Sequence, residues 1–183
     1  MLELTLMHLH CTIWAGLIKV WRHIVPTAIS VANWFVNNLC DRESGSVVTH
    51  LQVQKMLYFA QAWHMMVLDT PLFEEDMEAW PHGPVVPSVW QKFKQYGWDP
   101  IQPGGDSTGI SKESENVLIQ VLDAYGAFGA KRLEAMAHAE RPWIDARGNL
   151  APEERCNAII EKNAILAYYK QVYGEFESAE EPA

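Results

Sequence analysis

The sequence predicts a mainly α, compact single-domain helical bundle, on three observations. Apolar residues recur at helical spacing in one stretch after another from Ala28 to Tyr173. Strand signals are thin, limited to Glu74–Trp80 and Asp99–Gln102, which could pair as a small β-hairpin. A single rigid connector, Glu78-Ala79-Trp80-Pro81-His82-Gly83-Pro84-Val85-Val86-Pro87, interrupts the helical pattern. A chain of 183 residues holds one domain with a real core, and a second full domain would be a tight fit.

The first 25 residues stand apart. The run from Cys11 to Ile18 is largely apolar, too short to span a bilayer and preceded by no Lys or Arg, so neither a membrane anchor nor a signal peptide fits. Two readings stay open: an accessory helix, or a translated extension upstream of the true start. A first helix is predicted from Thr27 to Leu39, where Ala28, Val31, Ala32, Phe35 and Leu39 share a face, and Asp41 to Gly45 breaks it. A second runs from a Thr49/Gln52 capping box to about Leu68. Apolar residues cover most of its circumference, which places it in the middle of the fold.

In the connector, Gly83 can take backbone angles closed to other residues, while Pro81, Pro84 and Pro87 fix φ and push each preceding residue toward extended geometry. Pro87 can occupy the first turn of a third helix, Pro87–Tyr96, with Trp80 wedged beneath it and Gly97 as its stop. Gln102–Gly109 reads as a loop. Ser111 caps a fourth helix with Glu113 and Glu115 in its first turn, Val117, Leu118, Val121, Leu122 and Tyr125 inward, and Gly126 at its end. A short fifth helix follows near Ala130–Ala139. Pro152, Glu153 and Glu154 open a last helical region that reaches Tyr173, with a bend near Asn163. Glu175–Ala183 is an acidic, flexible tail.

Composition excludes several function classes. A formal net charge of −9 disfavours direct nucleic-acid binding and favours a basic partner or none. Cys11, Cys40 and Cys156 are odd in number, far apart and without a Cys-x-x-Cys pair, which suits buried thiols in a reducing cytoplasm. His138-Ala139-Glu140 supplies the His-x-Glu of a zinc deaminase, but no Pro-Cys-x-x-Cys follows and zinc is left short of three protein ligands, so the pair reads as structural. His8, His10 and Cys11 are too close along a helix to converge on a metal. Ser44-Gly45-Ser46 and Gly104-Gly105-Asp106 lack the Lys-Ser/Thr and strand–helix context of a phosphate loop, and the hydrolase signatures Gly-x-Ser-x-Gly and His-Glu-x-x-His are missing. No metal or cofactor is expected. Trp63, Trp80 and Trp143 read as core anchors. Trp90, Tyr96 and Trp98, beside a loop and the Lys92/Lys94 pair, read as partly exposed, as binding hot spots are.

Four ordered elements carry a family likeness. Ala79-Trp80-Pro81-His82-Gly83-Pro84-Val85 resembles the Ala-Trp-x-x-Gly-Pro-Val core of the SocA-like antitoxin family, the Panacea domain. Upstream, Leu51–Trp63 is similar to the family's Leu-, Lys- and Tyr-rich helix and Pro71-Leu72-Phe73 to its Pro-Leu-Phe turn. Downstream, His138-Ala139-Glu140-Arg141-Pro142-Trp143 resembles its His, Glu, Pro-Trp element. The likeness spans roughly residues 28–150 and implies an organisation of residues 1–25 as an extension, 26–174 as the domain and 175–183 as a tail.

What the resemblance implies is a non-enzymatic, cytoplasmic bacterial or phage antitoxin that binds a co-encoded protein toxin and blocks it sterically. It also admits a proteolytic adaptor that delivers the toxin to an energy-dependent protease. A zinc-dependent enzyme using His138 and Glu140 is a further alternative. Trp80, His82, Gly83, Pro84, Val85, Trp90 and Phe93 are the expected scaffold and contact surface, and replacing Trp90 and Phe93 together is expected to abolish neutralisation while leaving soluble protein.

Overall fold

The computed structural model describes residues 25–40 and 48–174. The N-terminal apolar run, the His8/His10/Cys11 group, the Asp41–Gly45 break, the Ser44-Gly45-Ser46 loop and the acidic tail lie outside the described residues. The architecture is mainly α. Helices α1 (Ala28–Cys40), α2 (His50–Leu68), α3 (Pro87–Phe93), α4 (Lys112–Tyr125), α5 (Ala130–His138), α6 (Arg141–Arg147) and α7 (Lys162–Tyr173) are joined by a small sheet of β1 (Met77–Trp80), β2 (Gly83–Val85) and β3 (Ile159–Ile160).

α2 is the axis of the fold. Every residue from Leu51 to Ala62 is buried, and α1, α4, α5 and α7 all pack on it. Met56, Leu57, Tyr58, Phe59 and Ala60 are fully buried, and the larger of these side chains each contribute about 1.5–3 kcal/mol by leaving water. Phe59 stacks on Tyr125 of α4 at 4.4 Å, and Trp63 meets Tyr169 of α7 edge-on at 5.4 Å.

Such an element must also satisfy the polar groups it buries. Gln54 brackets Val86, accepting from its N–H at 2.8 Å and donating to its carbonyl at 3.2 Å. Gln61 accepts from the N–H groups of Leu72 and Phe73 and donates to the Phe73 carbonyl. His64 joins the Thr70 carbonyl to the Ser114 hydroxyl. The carbonyl requires an N–H at Nδ1, so Nε2 accepts from Ser114. Three polar side chains of one helix thus hold the non-helical chain at Thr70, at Leu72 and Phe73, and at Val86.

The sheet order is β2-β1-β3, antiparallel throughout, with Ala79 opposite Pro84, Trp80 opposite Gly83 and Met77 opposite Ile160. Pro84 has no N–H to give, which an edge strand tolerates. The predicted hairpin therefore exists, but its second strand is the connector itself and not Asp99–Gln102. The latter segment is coil, anchored where the Ile101 N–H bonds the Val48 carbonyl at 2.8 Å.

Other expectations are corrected in detail. Thr49 caps α2 by accepting from the Gln52 N–H, but the Gln52 side chain does not reach back; it donates to the Phe128 carbonyl. The third helix tightens to a 3-10 turn over Lys94–Tyr96 before Gly97, at φ +55°, stops it. Arg141–Arg147 is a helix that the periodicity reading does not predict. The long final helix is not continuous from Pro152: residues 152–158 are irregular, and α7 begins at Lys162. No helix among the described residues is long and apolar enough to cross a membrane.

Candidate functional site

Pairing β1 with β2 makes Pro81-His82 a tight turn whose exit is Gly83, at φ +91°. An L-residue is strained there, and space forbids one as well. A Cβ on Gly83 would lie 2.7 Å from Lys55 Nζ, 2.9 Å from its Cε and 3.4 Å from His138 Nε2. Lys55, fully buried, donates to the Pro84 carbonyl at 2.7 Å. Burial lowers its pKa to about 7, while Glu134 pulls in the opposite direction. Sequence reading placed Lys55 on a family-like helix without giving it a role. The signal was a lone charged residue in a helix apolar all round.

Glu134 of α5 is itself buried, yet its oxygens accept from His82 Nδ1 at 3.0 Å and Lys131 Nζ at 2.8 Å. Burial raises its pKa, but those two bonds outweigh burial and the net shift is downward. His138 stacks on Trp143 at 4.0 Å, with its pKa lowered by burial first, Glu134 opposing and Lys55, Arg147 and His82 adding.

A second polar group lies beside the first. The Glu140 carboxyl accepts from Tyr58 at 2.6 Å and Tyr169 at 3.2 Å, tying α6's start to α2 and α7. Burial raises its pKa to about 7, the two hydroxyls working against that. Trp143 Nε1 donates to the Trp80 carbonyl at 3.0 Å. Arg147 lies on the Trp143 ring and donates to the carbonyls of Ala79, Ala151, Pro152 and Glu154. His138 and Glu140 therefore face different partners, one toward Gly83 and Lys55, the other toward two tyrosines. No three His, Cys, Asp or Glu side chains among the described residues gather as a metal site.

Outside this node lies an aromatic surface. Trp80 and Trp90 meet edge to face at 5.4 Å, both half-buried, with the Trp80 Nε1 bonded to Glu78 at 2.7 Å and Lys94 over the Trp90 ring at 5.5 Å. His82 is exposed, and Trp98 is 72% exposed. Val85 and Phe93 are each 4% exposed, and Gly83 and Pro84 are buried too, so of the seven expected residues only Trp80, His82 and Trp90 reach the surface. Trp143 is a core anchor as expected, whereas Trp63 and Trp80 are only half-buried.

Lys55, Tyr58, Gly83, Pro84, His138, Glu140 and Trp143 come from three of the four elements that carry the likeness, and they converge on one node. Residues 53–144, half of the chain, match the family model described as antitoxin SocA-like, Panacea domain. The chain belongs to the SocA-like antitoxin family. The match opens inside α2 and closes just after Trp143, so in this Panacea domain it takes in the whole polar node except the flanking Arg147 and Tyr169. No curated protein and no solved structure matches the chain.

Proposed function

We propose that the protein is a non-enzymatic antitoxin that neutralises a co-encoded protein toxin by binding it through the face formed by Trp80, His82 and Trp90, with Gly83, Pro84, Val85 and Phe93 as the scaffold beneath. Membership of the SocA-like antitoxin family carries this reading. The geometry supports the choice of face. Half-buried tryptophans held by a hairpin and a proline-started helix lose little freedom on binding, which is what makes aromatic residues hot spots. A net charge of −9 speeds encounter with a basic toxin surface.

The test is co-expression with the product of the adjacent reading frame in a growth assay. Growth is expected to be restored by the wild-type chain. Trp90→Ala should weaken binding by about 2 kcal/mol, roughly thirtyfold, and reduce rescue. Full rescue by a folded Trp80→Ala/Trp90→Ala double variant would remove this face from the mechanism. Rescue that vanishes in a host lacking its energy-dependent proteases would replace steric neutralisation with delivery to a protease.

A further inference from the structure

The turn of the hairpin forms one wall of a surface notch. Pro81 and His82 on one side and Pro152 and Glu153 on the other enclose about 300 Å³, the low end for a ligand pocket and room for a single side chain. Both walls are fixed from behind. The buried guanidinium of Arg147 donates to the Ala79 carbonyl of β1 at 2.7 Å, and also to the carbonyls of Ala151 at 2.6 Å, Pro152 at 3.1 Å and Glu154 at 2.7 Å, so strand and loop hang on one group. The Ala151 N–H in turn binds the Glu154 carboxylate at 2.7 Å. Two of the four lining residues are prolines, which lose no side-chain entropy when a guest packs on them.

The polar groups of the notch choose the guest. Glu153 is exposed, and its carboxylate takes no hydrogen bond or ion pair from the described residues. The His82 side chain is 61% exposed, with its Nδ1 bonded to Glu134 at 3.0 Å. A carboxylate partner requires an N–H at Nδ1, so on the neutral ring Nε2 is left as an acceptor. Two acceptors between two apolar rings call for a cationic guest that carries several donors on an apolar stem. Arginine meets that description better than lysine, because its flat fork of five donors is less strongly hydrated than an ammonium group. The net charge of −9 favours the same sign of guest.

We propose that this notch receives one arginine side chain of the partner protein, its stem between Pro81 and Pro152 and its guanidinium on the Glu153 carboxylate and His82 Nε2. This rests on the partner-binding reading above and names the chemistry that the partner brings to the same face. Trp80, next to Pro81 in the chain, then anchors an apolar residue of the partner beside the arginine.

Three tripeptides blocked at both ends test it by NMR of the full chain at constant pH and ionic strength: Ala-Arg-Ala, Ala-Lys-Ala, and Ala-citrulline-Ala, which keeps the shape of arginine without its charge. The arginine peptide is expected to shift the His82 ring C–H and Glu153 amide resonances saturably and to bind more tightly than the other two. Glu153→Gln, at an exposed position, should weaken that binding roughly fivefold, the upper end for an exposed ion pair. Absence of a saturable shift, or an unchanged response in Glu153→Gln, overturns the proposal. Equal or tighter binding of the lysine peptide overturns it in favour of a general cation contact, and equal binding of the citrulline peptide in favour of a site that reads shape alone. No toxin enters this titration, so failed growth rescue with an intact titration would count against the antitoxin reading alone. Full rescue by Glu153→Arg would instead remove the notch from the interface and leave the Trp80 and Trp90 face standing.

Discussion

At the scale of single residues, Gly83 and Gly97 separate two effects that sequence reading merges. Both have positive φ, but a Cβ at Gly97 would meet nothing within 4 Å, whereas one at Gly83 would collide with Lys55. Gly97→Ala should therefore cost only the backbone strain, about 1–3 kcal/mol. Gly83→Ala should cost that and the displacement of a buried lysine from its acceptor, about 2–4 kcal/mol in all, lowering the melting temperature by roughly 5–10 °C. Equal losses in the two variants would mean that Lys55 yields freely. The need for glycine at position 83 was legible in the sequence, because a proline-flanked turn demands unusual backbone angles. The lysine facing it was not, since helical periodicity records which face is apolar and says nothing of a charged tip bonded to a distant carbonyl.

At the scale of elements, α3 presents Trp90 to the surface and Phe93 to the core, so two aromatic residues three positions apart have opposite uses. Phe93→Ala is expected to destabilise the fold by about 3–5 kcal/mol in chemical denaturation, and Trp90→Ala by well under half of that while losing more binding. A double replacement would therefore confound folding with recognition. The helices from Ala28 to His138 were readable because caps, apolar faces and glycine stops agreed, as at Ser111 and Gly126 around α4. Residues 152–158 were misread for a physical reason. Their acidic, proline-led start favours a helix locally, but Arg147 takes the carbonyls of Ala151, Pro152 and Glu154, and the Ala158 carbonyl accepts from the Ala79 N–H to extend the sheet. Tertiary bonds withdrew the acceptors that a helix needs. The same arginine closes α6, whose signals, Pro142 in its first turn and Gly148 at φ +60° after its last, were present but compressed into seven residues.

At the scale of the whole molecule, the joint contribution of Glu140 and Lys55 to stability should pass through a minimum near neutral pH. His50, His64 and His138, whose pKa values burial lowers, add stability as the pH rises toward 6.5. Glu140 keeps its proton up to about pH 7 in the folded chain but releases it near 4.5 when unfolded, so raising the pH through that window weakens the fold. Lys55 loses its proton near 7 when folded and near 10.5 when unfolded, so stability recovers as the pH rises through the second window. Each limb should amount to a few kcal/mol at most in denaturant titrations. Glu140→Gln is expected to flatten the acidic limb and Lys55→Met the basic one; a curve unchanged by either would mean that the groups titrate alike folded and unfolded.

The clasp that Gln54 and Gln61 place on the chain between Leu72 and Val86 carries a consequence for hydrogen exchange in deuterated solvent. The amide protons of Leu72, Phe73 and Val86 lie outside helices and strands, yet each is held by a side chain rooted in the best-buried helix. They should exchange as slowly as the α2 amides and be released together with them, on the clock of global opening and not of loop fluctuation.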